Sequence, residues 1–185
     1  MTAPTTRSNA QAVITRAVAV LREHLDDELT AIRLQAPWTT SGVDLPSLDN
    51  AQIYEWDFAQ GIEIHASAML VTLRSEQFSH RAMSDEVDVQ GEYVVVTRVT
   101  DAATGVAADP AIVSAASYAY GMAAAACLVR NLREDGRAEY IDRVSYVSVE
   151  VAPTTESDGI NPARFAAYTE AVVRVQRRTT EPFPS

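Results

Sequence analysis

No stretch of this sequence restricts packing as tightly as residues 110–134. Asp109 suits a helix N-cap, Pro110 fits the first helical position, and Gly136 stands where a left-handed residue ends a helix. Between them, Ala115, Ala116 and most of Gly121 to Cys127 are small residues. A helix built this way must lie close against a sheet or a second helix, because its side chains cannot bridge a wide gap. The fold therefore needs a flat partner, and the flanking sequence supplies candidates. Ser67–Phe78 and Glu86–Val99 precede the helix; Tyr93 to Thr97 in the second is rich in β-branched residues. Asp142–Val151 and Phe165–Arg178 follow it, with Val147, Val149 and Val151 on one face of the first and Ala171, Val173 and Val175 on one face of the second.

A first helix is expected over Ser8–Leu34. Ser8 and Gln11 fit a capping box, and Val13, Ala17, Val20, Leu21, Leu25, Leu29 and Ile32 draw one apolar stripe at helical period. Arg16, Glu23, Asp26, Asp27 and Arg33 occupy the other side. Pro37, Gly42 and Pro46 mark loop, and Ile53–Phe58 alternates as a short strand or extended arm, with Tyr54, Trp56 and Phe58 on one face. The whole reads as one α+β domain over residues 1–185. It has a mostly antiparallel or mixed sheet with two helices packed on one face, long β-hairpin loops and an extended C-terminal tail. Its pieces are a helix at 8–34, a loop and arm at 35–66, strands at 67–99, a helix at 110–134, a closing strand pair at 142–178 and a tail at 179–185. The polar connections Ser79–Asp85 and Ala152–Arg164 are the long loops.

Composition removes several function classes. At 47% apolar and 22% charged residues, the 185-residue chain can bury a real core, which excludes disordered and disulfide-scaffold readings. All fifteen basic residues are arginine and the net charge is −10, so the chain is not built to grip a nucleic-acid backbone. Met1–Asn9 lacks the apolar core of a signal peptide, and Ala115–Val129 is interrupted by polar residues and shorter than a membrane span; the chain reads as soluble and made in the cytosol.

The residues that carry chemistry are dispersed. His24, His65 and His80 have no metal-ligand spacing to one another or to Cys127. Asp26-Asp27-Glu28 and Asp85-Glu86-Asp88 read as solvated faces, since neighbours in sequence point different ways. Cys127, in an alanine-rich helix, reads as a small buried thiol. There is no phosphate-binding glycine loop and no G-x-S-x-G elbow. The Tyr54, Trp56, Phe58 face reads as packing against a core or partner, and Arg177-Arg178 is a lone cationic pair. The expectation is a protein that is not an enzyme, with no catalytic, cofactor-binding or metal-binding residue and no cofactor.

The order of elements, with the Asp109-Pro110 helix start and the strand Val144–Val151 leaving through Ala152-Pro153, resembles the tail terminator and tail-completion proteins of long-tailed bacteriophages. The resemblance covers nearly the whole chain, through Ser8–Leu34, Ser67–Val99, Pro110–Glu134 and Asp142–Arg178. It implies a structural virion protein of the neck: a homohexameric ring that caps the tail tube, joins head-completion or connector proteins, and leaves a channel through which DNA passes without specific binding. It implies assembly in the host cytoplasm and no membrane partner. The stretch from Pro37 to Ile64 is longer than a minimal member needs. Other readings are a different neck or tail component (head-completion, minor tail or tube protein), an adaptor binding through Tyr54–Phe58, or a small acidic α+β enzyme or ligand-binding domain. A pocket near Asp57, Glu63 or Glu150 would favour the last.

Overall fold

A computed structural model describes residues 9–35, 45–55, 67–80, 87–100, 110–132, 144–157 and 165–179. Helix α1 (Asn9–Arg33) leads to a single 3-10 turn (Asn50–Gln52), strand β1 (Ile53–Glu55), strands β2 (Ala68–His80) and β3 (Val87–Thr100), helix α2 (Pro110–Asn131), and strands β4 (Val144–Ser157) and β5 (Phe165–Thr179). The sheet order is β1-β2-β3-β5-β4. Every pairing is antiparallel except β1 with β2, which is parallel and makes the sheet mixed.

One core joins both helices to one face of the sheet. Val13, Ala17, Val20, Leu21, Leu25 and Leu29 of α1 are buried in it, with Ile32 half-buried at its edge. Met69 and Val71 of β2, Val95 and Val99 of β3, and Ala167, Ala171 and Val173 of β5 are their counterparts. Their alternation places them on one side, as the register confirms: Val71 faces Val95, and Val95 faces Ala171. The expected stripe of α1 and the expected face of β5 are thus the buried ones.

Helix α2 packs on β3, β5 and β4 beside α1, which packs on β1 and β2, and its residues sort by angle. The Ser117 hydroxyl hydrogen-bonds the Thr169 hydroxyl at 2.8 Å, which fixes that side against the sheet. Cys127 Sγ lies 3.6 Å from the Val20 carbonyl of α1, which fixes the other. Ala116, Ala123 and Ala124 are fully buried, so the small residues sit where two neighbours press in. The helix is long and apolar enough, by composition, to cross a membrane. Within the fold, 61% of that apolar window is buried in the protein interior.

A second link ties the helices at their far ends. Arg130 donates to the Glu28 carboxylate at 2.6 Å; the Glu28 side chain is 11% exposed and that of Arg130 67%. Removing the guanidinium leaves a nearly buried carboxylate without this partner, which costs more than losing a surface pair. Arg130→Ala is expected to lower stability by about 1–2 kcal/mol in urea unfolding. A loss indistinguishable from zero would show that water replaces the arginine.

One strand departs clearly from the sequence expectations. Strand β4 runs on to Ser157 through the expected connection, pairing Pro153 with Thr169 and Ser157 with Phe165. Proline is tolerated there because β4 is the last strand of the sheet, where one side of the backbone need not donate. Strand β1 is described over Ile53–Glu55; Trp56 to Phe58 lie outside the described residues, as do Ser8, Asp109, Gly136 and the tail 180–185.

Candidate functional site

Residues 45–52 form a strap that side chains of both helices hold, and it runs into β1, which the sheet holds through β2. Arg33 donates to the Leu45 carbonyl at 2.7 Å and to the Ser47 hydroxyl at 3.1 Å. Arg22 donates to the carbonyl of Asn50 at 3.1 Å and twice to that of Ile53, at 3.0 and 2.6 Å. The Tyr120 hydroxyl of α2 donates to the Pro46 carbonyl, and the Gln11 amide to the Glu55 carboxylate. Leu45 and Ile53 are buried beneath these clasps. The polar side of α1 therefore has a structural use: arginines on it satisfy carbonyls of the strap and of the marginal strand β1.

Asp26 belongs to the same clasp. The Ser47 hydroxyl donates to its carboxylate, and Arg33 lies 3.2 Å away; the hydroxyl bond first, then the guanidinium, hold its pKa below the usual carboxylate value. This contribution is complete above the ordinary aspartate range and is lost as pH falls through the lowered value. Its neighbour Glu28 carries the ion pair to Arg130, and Asp27 is exposed. The three consecutive carboxylates thus have three separate surroundings, not one shared site.

Of the histidines, His24 is half-buried on α1, 3.7 Å from Glu23; His80 ends β2; His65 is outside the described residues. Among the described residues no group of three His, Cys, Asp or Glu is placed to hold a metal ion. Tyr54 is half-buried on the sheet face away from the helices, where burial raises its pKa and the Arg98 charge opposes the rise. Arg98 is itself buried there, its Nε donating to the Tyr168 hydroxyl at 3.2 Å. Trp56 and Phe58, the other two residues of the expected aromatic face, lie outside the described residues.

Cys127 is a buried free thiol whose pKa burial pushes up to about 12. At pH 8 the thiolate is then on the order of one part in ten thousand, and only the thiolate alkylates. Iodoacetamide should leave native Cys127 unlabelled over hours and label it within minutes in denaturant. Rapid labelling of the folded protein would contradict the burial. The raised value also has a stability consequence. The contribution of this thiol is complete below its ordinary value of 9.0 and disappears as pH rises toward about 12.

A cleft of about 340 Å³ opens on the sheet face away from the helices, lined by Ser75, Gln77, Gln90, Glu92, Arg174 and Gln176 with the backbone of Gly91 and Val175. The register arranges these residues in rows across the strands. Gln77 faces Gln90, which faces Gln176; Ser75 faces Glu92, which faces Arg174. Arg174 donates to Glu92 at 2.9 Å, so the two ionisable groups of the cleft are committed to each other. Among the described residues the surface offers amide and hydroxyl hydrogen bonds, and the one carboxylate beside Ser75, that of Glu92, is taken up by Arg174. Glu150, one of the carboxylates singled out from the sequence, is on β4, paired with Val172 of β5; Asp57 and Glu63 lie outside the described residues. The row arrangement was invisible in the sequence because it depends on a register shift in β2.

No protein-family model matches the sequence, and a search of curated proteins returns no match.

Proposed function

We propose that this chain is a structural virion protein, a tail terminator of a long-tailed bacteriophage. Its copies close into a ring on the end of the tail tube and receive the head-completion or connector protein above. The observation that carries the reading is the element order: helix, antiparallel strand pair, small-residue helix and closing strand pair, with both strand pairs in one sheet. The unlike margins of that sheet support it. One margin is β4, antiparallel to β5, and the other is β1, parallel to β2. A ring needs two different surfaces on each subunit, meeting head to tail, and an edge strand is suitable material for one of them.

The net charge of −10 fits a passage for DNA. An acidic wall repels phosphates and lets the duplex slide, whereas clustered arginines would hold it. An arginine-lined channel in an image of the assembled particle would overturn that part of the reading.

Sedimentation velocity of the full chain, alone and with purified tail tubes, tests the proposal. The expected result is a closed assembly of about six copies, free or on tube ends, with a central hole in negative stain. A chain that stays at 20.1 kDa at every concentration and ignores the tubes would end the terminator reading.

A further inference from the structure

We draw no further inference here: the strongest candidate, the charge-free outer stripe of α2 that exposes Ala115, Tyr118 and Met122, is an apolar face for which nothing in the structure shows what covers it.

Discussion

Ala124→Leu is expected to lower stability by about 3 kcal/mol or more, enough to remove much of the margin of an ordinary domain. Ala124 is fully buried and lies two helical turns from Ser117, so it shares the side of α2 that Ser117 presses against β5 through Thr169. A leucine there adds three carbons at an interface already closed by the Ser117–Thr169 bond and by Ala171, itself fully buried. Helix and sheet must separate, and any shift of α2 also disturbs the contacts of Cys127 with the Val20 carbonyl and of Tyr120 with the strap. The control is Ala115→Leu on the exposed side, expected to change stability by less than about 0.5 kcal/mol. Urea unfolding of both variants reads the difference. Equal midpoints would mean that the small residues of α2 are not there for close packing.

The contrast between those two alanines marks how far the sequence could be read. That α2 must lie close to something follows from its composition. Which alanines face the sheet does not, because apolar residues surround this helix and no polar stripe gives its orientation. Helix α1 was easier: Glu23, Asp26 and Asp27 mark its wet side and the stripe from Val13 to Leu29 its dry one. Its arginines were less legible. Arg22 and Arg33 look like ordinary solvated charges, and their bonds to the carbonyls of Asn50, Ile53 and Leu45 join residues 12 to 31 positions apart. Long-range side chain to backbone contacts leave no periodic trace in a sequence.

Strand β4 was read too short for a local reason. Pro153 and the polar run after it satisfy every rule for a loop, and only the position of β4 at the sheet margin makes them acceptable in a strand. The candidate site is the least legible part. The glutamine row across β2, β3 and β5 draws on three segments whose register no local pattern fixes. The ring reading, in turn, stands on element order and margin, and no single side chain carries it.

The second large effect is expected at Gly91, where the strand gives up a side chain so that Tyr93 can lie over it. A β-carbon at Gly91 would stand 2.5 Å from Tyr93 Cε2 and 2.9 Å from its Cζ and hydroxyl oxygen. The ring has little room to yield: Tyr93 is 2% exposed and donates to Glu76 at 2.9 Å. Glu76 reaches that hydroxyl because the pairing of β2 with β3 shifts between Leu73 and Ser75, which turns Glu76 onto the same face as Tyr93. Gly91→Ala should therefore cost about 2–3 kcal/mol by displacing the ring and breaking this bond. Tyr93→Phe alone should cost about 1.5 kcal/mol, the low end for a hydrogen bond to a charged acceptor, because the bond is only part-buried. The decisive measurement is the double variant Gly91→Ala with Tyr93→Leu. If the clash is the cause, the two losses add to more than the double variant shows, by about 1 kcal/mol or more. Strict additivity would place the cost of Gly91→Ala in the backbone and not beneath the ring.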